Sequence, residues 1–160
     1  MSGKKSKKHP AIWLITGGVM QRPVAERIKA RGYKLIISDG SDKCAIRSMS
    51  DEFLHVDIFN IKNNILAANE LVKHYDVCAV FTSASDCHET VAHVARHLGL
   101  HGIDPDISRL CRYKYETRDI YTKGGIPQPK FKIVSNYKEA ITALNNIGVP
   151  AALKATNNAG

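Results

Sequence analysis

Two lysines in the last third of the chain lie where a phosphate-binding site would place them. Lys114 belongs to a predicted helix, and Lys154 interrupts the apolar pattern of a predicted strand that follows Pro150. A lysine on a half-buried strand costs free energy unless an anion or solvent meets its ammonium group. The small, polar run Asn157–Gly160 comes next, and its composition suits a backbone that closes over phosphates. The sequence leaves open the alternative of a lysine on the exposed face of an edge strand.

Two loops in the first half of the chain form a second candidate site. Gly17 and Gly18 stand between a predicted strand and a predicted helix, where backbone N–H groups can approach a phosphate. Ser85 and Asp86 follow another predicted strand, and ligands of open parallel sheets bind at that edge. Asp86 has an equally good structural interpretation as the N-cap of the next helix, with Glu89 at the N3 position.

A dinucleotide-binding site is one alternative for the glycine pair. Asp39 ends the second predicted strand about twenty residues after the glycines, where such folds place a ribose-binding acid. The required G-x-G-x-x-G pattern is absent, because Val19, Met20, Gln21 and Arg22 follow Gly18. An NAD(P)-dependent oxidoreductase therefore stays an alternative, and a simple turn explains the glycines equally well.

Histidines and cysteines give no prediction of a metal site. His93 and His97 are one helical turn apart, but the sequence offers no third ligand at suitable spacing. We expect these histidines on a polar helix surface. Cys78 lies in an apolar strand and is expected to be a buried thiol. The four cysteines show no pairing pattern, which predicts reduced cysteines and a cytoplasmic protein.

The order of apolar segments predicts the architecture that positions these residues. Apolar runs at 11–16, 33–38, 53–56 and 77–82 are typical of strands, and they alternate with helical patterns that begin near residues 21, 62 and 86. This alternation predicts an α/β fold, a Rossmann-like parallel sheet with helices on both faces. A hinge helix follows Asp104-Pro105, then a helix at 113–124. A strand at 130–134, a helix capped by Asn136 and Glu139, and a strand at 151–155 complete the chain.

Composition limits the function classes. The chain has 160 residues and a net charge of +8, half of which comes from four lysines in residues 1–10, a predicted disordered tail. No aromatic residues are interleaved with these lysines, so a nucleic-acid partner is not favoured, although a non-catalytic nucleotide- or nucleic-acid-binding module stays an alternative. The apolar runs are shorter than the roughly 18 residues that a membrane span needs, and no membrane contact is expected.

The motifs of the last third, taken in order, resemble the ATP-grasp superfamily. Lys114 is followed by Thr117-Arg118, then by Gly125-Ile126-Pro127, then by Gly148-x-Pro150-x-x-x-Lys154 and Asn158-Ala159-Gly160. The series is most similar to carbamoyl-phosphate-synthase-like and biotin-carboxylase-like ligases. The resemblance covers residues ~11–160. It implies a pre-ATP-grasp domain at 11–111 and the beginning of an ATP-grasp α+β subdomain at 112–160.

The resemblance implies an ATP-dependent ligation. A small-molecule carboxylate is phosphorylated to an acylphosphate, and an amine or similar nucleophile displaces the phosphate. The positions that match nucleotide-contacting residues of the family are Lys114, Lys154, Asn158 and Gly160, whose contacts would offset phosphate charge. The implied cofactor is ATP, with Mg²⁺ held by residues beyond this chain. A homodimer is compatible with the family.

The leading domain of this family shapes part of the substrate site. By that resemblance the substrate edge consists of Gly17, Gly18, Arg22, Ser85 and Asp86. The family's adenine-binding hinge and its magnesium-binding acids lie beyond position 160. We therefore expect a front portion of a longer enzyme, without catalytic residues of its own and inactive by itself. A truncated gene product and a chain that works with a second chain are the alternatives.

Overall fold

The structure, a computed structural model, describes residues 8–157. It divides into two compact units, with the division after Ser108. The boundary predicted from sequence lies three residues later, after Cys111. Two predicted nucleotide contacts, Asn158 and Gly160, lie outside the described residues, as does most of the predicted basic tail.

The first unit contains a four-stranded parallel sheet. Its strands are β1 (His9–Ile15), β2 (Lys34–Asp39), β3 (Glu52–His55) and β4 (Tyr75–Phe81), in the order β3-β2-β1-β4. The predicted parallel sheet is thus confirmed. The first strand begins two residues earlier than predicted, because His9 and Pro10 pair with the start of β4.

Helices cover both faces of this sheet, as the sequence predicts. Helix α1 (Arg22–Ala30) packs on one face through Ala25 and Ile28, against Leu14 and its neighbours. Helices α2 (Ile61–His74) and α3 (His88–His97) pack on the other face, where Trp13 is completely buried. Consecutive residues of β1 face opposite sides, which explains why the strand is apolar without interruption.

Two local predictions in the first unit are wrong. Cys78 is exposed, because it is the extra residue of a β-bulge: Ala11 pairs with Val77 while Ile12 pairs with Ala79. Asp86 is not the N-cap of α3. The cap position belongs to Cys87, whose side chain is 1% exposed and forms no cap hydrogen bond, so the helix starts one residue later than predicted.

The second unit is helical in the described residues. Helix α4 (Pro105–Arg112) crosses the division, and α5 (Lys114–Lys123) and α6 (Tyr137–Ile147) follow. The start of α6 is as predicted: Asn136 Oδ1 accepts the backbone N–H of Glu139 at 3.0 Å, and the Glu139 carboxylate accepts the N–H of Ser135 at 2.9 Å. Such a reciprocal cap satisfies backbone donors that the first helical turn leaves without partners.

The predicted strands at 130–134 and 151–155 are absent. A strand needs a neighbouring backbone for its hydrogen bonds, and among residues 109–157 no second strand supplies one. Lys154 is consequently exposed, with all its neighbours from Gly148 to Asn157. The expectation of a lysine on a half-buried strand is therefore wrong. No helix in the described part of the chain is long and apolar enough to cross a membrane.

Candidate functional site

The carboxyl ends of β1 and β4 lie at the position where an open parallel sheet binds its ligands, in a crevice between diverging loops. The chain leaves β1 towards β2 on one side and later returns to β4 on the other, so the strand order changes direction between β1 and β4. Loops diverge at such a switch point and leave room for a ligand. The segments that begin at Thr16 and at Thr82 border this point. Four of the five predicted edge residues lie on them: Gly17, Gly18, Ser85 and Asp86.

The two glycines of the first segment have different surroundings. A Cβ atom on Gly17 would lie 2.4 Å from Cys44 Sγ, so this position requires glycine for packing. A Cβ atom on Gly18 would have no atom within 4 Å, so its backbone borders open space. The N–H of Gly17 donates to Asp39 Oδ2 at 2.7 Å. Of the pair, Gly18 is therefore the residue that a ligand can approach.

Thr16 is a site residue that sequence reasoning missed. It is 6% exposed, has a φ of 93°, and its Oγ1 has no hydrogen-bond partner within residues 8–157. A β-branched residue with positive φ is strained, and strain of this kind concentrates at functional sites. The only sequence signal is its position as a polar residue between an apolar strand and Gly17.

The second segment turns sharply and returns to the core. Ala84 has a φ of 50°, the Ser85 hydroxyl lies 3.5 Å from Cys87 Sγ, and Asp86 is half-buried. Burial raises the pKa of the Cys87 thiol, although the Ser85 and Thr82 hydroxyls partly offset the increase. A buried thiol with a raised pKa is a poor nucleophile, so we assign Cys87 to the packing of the core.

A buried glutamine joins the two segments. Gln21 is 2% exposed; its side-chain nitrogen donates to the carbonyl of Ser83, and its side-chain oxygen accepts the N–H of Ser83 at 3.1 Å. Arg22, next in the chain, is exposed at the start of α1 and forms no ion pair with the described residues. The edge thus combines an exposed cation, an accessible glycine backbone and a hydroxyl, groups that suit a small anion.

In the second unit, the start of α5 contacts the segment that carries Lys154. The backbone N–H of Lys114 donates to the carbonyl of Thr156 at 3.1 Å. This bond places Lys114 and Lys154 on adjacent segments of the backbone. Lys114 is half-buried and Lys154 is exposed.

The other motif residues of this unit fix the end of α5. Gln128 Nε2 donates to the carbonyl of Arg118 at 2.9 Å and to Thr122 Oγ1 at 2.8 Å. Gly125, with a φ of 65°, ends the helix, and the N–H of Ile126 donates to the carbonyl of Tyr121 at 2.8 Å. The Gly-Ile-Pro segment therefore serves as a helix stop whose side chains and backbone hold α5 in place.

A groove of this unit with a volume of about 1080 Å³ lies between residues 126–134 and α6. Neither Lys114 nor Lys154 lines it. Its apolar lining includes Phe131 and Ile133, from the segment that was predicted to be a strand, and Ile147 of α6.

The described residues contain no group of three histidine, cysteine, aspartate or glutamate side chains that could hold a metal ion. His97 is exposed, and its Nε2 lies 2.7 Å from Asn69 Oδ1. His93 is half-buried on the same helix.

Comparison with known proteins finds no matching protein-family model and no matching curated protein. Solved structures do match. N5-carboxyaminoimidazole synthetase from Staphylococcus aureus, complexed with ADP, is 19% identical with a TM-score of 0.66, over 97% of this chain and 41% of that chain. L-amino acid ligase from Bacillus licheniformis is 16% identical with a TM-score of 0.66, over 89% of this chain and 42% of that chain.

A third match is the biotin carboxylase domain dimer of 2-oxoglutarate carboxylase from Hydrogenobacter thermophilus, in complex with MgADP, ADP and bicarbonate. It is 18% identical with a TM-score of 0.65, over 97% of this chain and 36% of that chain. The chain thus spans 36–42% of the length of these three proteins. The resemblance inferred from the motifs is confirmed at the level of the fold, which is that of their N-terminal part.

Proposed function

We propose, from the fold that this chain shares with the N-terminal part of ATP-grasp enzymes, that it forms the front of an ATP-dependent ligase. The ligase activates a small-molecule carboxylate as an acylphosphate, and an amine or similar nucleophile then displaces the phosphate. The observation that carries the proposal is the extent of the structural match, which reaches 97% of this chain.

The residues present fit part of an ATP site. Lys114 and Lys154 lie on adjacent backbone segments, because Lys114 N–H donates to the Thr156 carbonyl. Two ammonium groups there can offset phosphate charge by position and electrostatics. Bound ATP would supply the phosphoryl group that activates the carboxylate. Asn158 and Gly160 stay proposed contacts, and the metal ligands are assigned to residues outside the described range.

The first unit is proposed to shape the carboxylate substrate site. Gly18 supports this role with an open backbone, and Arg22 with an exposed side chain at the start of α1. Thr16, with a buried hydroxyl that no residue in 8–157 satisfies, extends the edge towards β1. Ser85 and Asp86 border the same crevice from the β4 side, and Gly17 serves as the packing partner that places Gly18.

Finer points of the proposal rest on the motifs. We propose the carbamoyl-phosphate-synthase-like subtype that the motifs resemble, and bicarbonate is the first substrate to test. A homodimer and a cytoplasmic location also belong to the proposal. The NAD(P) alternative has little support, because both carboxylate oxygens of Asp39 already accept backbone N–H groups, those of Gly17 and Ser41.

Isotope transfer tests the proposal in the whole protein that carries this chain. Candidate carboxylates and amines are first screened for ATP-dependent phosphate release. The active carboxylate is then labelled with ¹⁸O. An acylphosphate intermediate transfers one ¹⁸O atom to inorganic phosphate, which ³¹P NMR resolves by its isotope shift.

Product formation with unlabelled phosphate would contradict the acylphosphate. Failure of the whole protein to consume ATP with any carboxylate and amine pair would contradict the ligase itself. A reaction without nucleophile, in which labelled phosphate appears only through slow hydrolysis of the intermediate, serves as the control for the second half-reaction.

A further inference from the structure

We infer that Gln21 is a positioning residue, which holds the two loops of the proposed substrate edge in one arrangement. The inference rests on the proposed function for the identity of that edge. Its own evidence is the contact between Gln21 and Ser83, which are 62 residues apart in sequence. Neither residue belongs to a regular strand or to α1.

The side chain of Gln21 continues the hydrogen bonding of the sheet past its end. The last paired residues of β1 and β4 are Leu14 and Phe81, after which the two backbones diverge. A primary amide offers one N–H side and one C=O side, as a peptide unit does. Gln21 uses both on the backbone of Ser83, donating to its carbonyl and accepting its N–H. One side chain thus replaces the missing strand partner.

The contact is adjacent to strained backbone. Ala84, the neighbour of Ser83, has a φ of 50°, and Thr16 on the opposite segment has a φ of 93°. Such conformations persist only where their surroundings determine them. A weaker polar contact runs from Cys87 Sγ to the carbonyl of Ile15 at 3.9 Å. The two hydrogen bonds of Gln21 act directly on Ser83, next to the strained Ala84.

Burial separates this role from ligand binding. Gln21 is 2% exposed, whereas Arg22, the next residue, is exposed. The two consecutive residues thus have different proposed roles. Arg22 is exposed and can contact a substrate, whereas Gln21 is buried and fixes the loop that carries Ser85 and Asp86. Loss of the Gln21 contact removes none of the proposed ligand-contacting groups. It allows the loop after β4, residues 82–87 (the β4 loop), to change its conformation.

Gln21→Met is the variant that tests the inference, because it retains volume and removes both hydrogen bonds. Gln21→Glu is the second variant; it keeps the acceptor for Ser83 N–H and places an oxygen against the Ser83 carbonyl. The matched control is Gln128→Met, which removes a glutamine that also bonds backbone, to Arg118, but in the second unit. Circular dichroism confirms that each variant is folded.

Amide hydrogen exchange of residues 82–87 is the first measurement. We expect exchange about tenfold faster in Gln21→Met than in the wild type, the factor that follows from the loss of one to two hydrogen bonds. Gln21→Glu gives a smaller increase, and Gln128→Met leaves these amides unchanged. Unchanged exchange in both Gln21 variants overturns the inference, whatever the protein catalyses.

Steady-state kinetics of the whole protein is the second measurement. We expect Gln21→Met to raise KM for the carboxylate about tenfold and to leave KM for ATP unchanged, because the constraint acts on the substrate edge alone. Faster exchange without a change in either KM overturns the positioning role and leaves the ligase proposal intact. A wild type without ATP-dependent activity overturns the proposed function, and hydrogen exchange still decides whether Gln21 couples the loops.

Discussion

The carboxylate of Asp39 accepts the backbone N–H of Gly17 at 2.7 Å and so ties the end of β2 to the segment that follows β1. Its other oxygen accepts the N–H of Ser41 at 2.8 Å. A single side chain therefore orders two turns at the carboxyl edge of the sheet. Asp39, which the sequence suggests as a ribose ligand, thus serves as a structural acceptor for two backbone N–H groups.

Asp39→Asn is expected to lower the free energy of unfolding by about 1–3 kcal/mol, because an amide nitrogen would face one of the two N–H donors. Urea denaturation measures the change. Asp42→Asn is the control, since Asp42 is exposed in the same loop and its carbonyl, not its carboxylate, accepts from Arg47; its effect should stay within about 0.5 kcal/mol. Equal stabilities for the two variants would show that the Asp39 contacts contribute nothing.

Alanine substitutions should separate the two glycines. Gly17→Ala is expected to destabilise the fold by about 1–3 kcal/mol, since its Cβ would lie 2.4 Å from Cys44 Sγ. Gly18→Ala should change stability by less than about 0.5 kcal/mol, because Gly18 has a φ of −68° and open space around it. It should nevertheless weaken substrate binding if a ligand approaches that backbone.

Thermal unfolding and substrate KM measure the two effects. Cys44→Ala combined with Gly17→Ala is the matched test of the steric cause: removal of the sulfur should restore part of the lost stability. If Gly17→Ala is as stable as the wild type, the close approach of Cys44 is not a constraint on this position.

The sequence predicts the first unit well because its signals are local. Apolar runs long enough for strands buried on both faces depend on residues close together in the chain. The same holds in the second unit for the start of α6, which Asn136 and Glu139 cap. The exposure of Cys78 could not be predicted, because a β-bulge arises from the register between β1 and β4. Asp86 has the polarity of an N-cap, but α3 begins one residue later, with Cys87 at the cap position.

For the candidate site, too, the sequence predicts the residues with local signals and misses the long-range contacts. Glycines and polar residues after strands mark the edge of the sheet, whereas Gln21 contacts Ser83 across 62 residues and leaves no sequence pattern. Strands at 130–134 and 151–155 were predicted from their apolar content. Apolar content cannot supply a hydrogen-bonding neighbour, and no described strand of the second unit pairs with them.

Acid should remove a defined part of the stability of the first unit. Burial tends to raise the pKa of Asp51, but the Leu35 N–H and the Lys34 and Lys29 ammonium groups outweigh it and hold this pKa below its usual value. The carboxylate therefore stabilises the fold above the unfolded-state pKa of about 3.9. That contribution is lost as the pH falls through the lower folded-state value.

The difference in unfolding free energy between the wild type and Asp51→Asn measures this effect. It should be constant near neutral pH and shrink between about pH 5 and pH 2. Asp42→Asn, which removes a carboxylate from an exposed loop, is measured alongside as the control. A difference that stays constant down to pH 2 would contradict the assigned contacts of Asp51.

Removal of either candidate phosphate-binding lysine should weaken nucleotide binding. Lys114→Met and Lys154→Met are each expected to raise the Kd for ATP about 10–100-fold in the whole protein, because a hydrogen bond to a charged group contributes about 1.5–3 kcal/mol. Lys123→Met, at the far end of α5, and Lys132→Met serve as controls of equal charge change. Isothermal titration calorimetry with a non-hydrolysable ATP analogue measures the Kd. An equal loss of affinity in all four variants would mean that only the net charge matters and would contradict a specific role for Lys114 and Lys154.

The four cysteines should react with iodoacetamide in the order of their exposure. Cys78 and Cys111 are exposed and should be labelled first, and Cys44 is half-buried and should follow. Cys87 is buried, and burial raises its pKa, so little of it is thiolate at neutral pH. It should react only when the protein unfolds, because the thiolate is the nucleophile.

Mass spectrometry of labelled peptides gives the four rates, and the same reaction in concentrated urea is the control, where all rates should converge. Cys78→Ser should change the unfolding free energy by less than about 0.5 kcal/mol, as an exposed bulge residue does. Cys87→Ser should cost about 1–3 kcal/mol, because it places a hydroxyl in the apolar core beside Ile15. Rapid labelling of Cys87 in the native protein would mean that the β4 loop opens readily. It would contradict the inference that the hydrogen bonds between Gln21 and Ser83 hold this loop in one conformation.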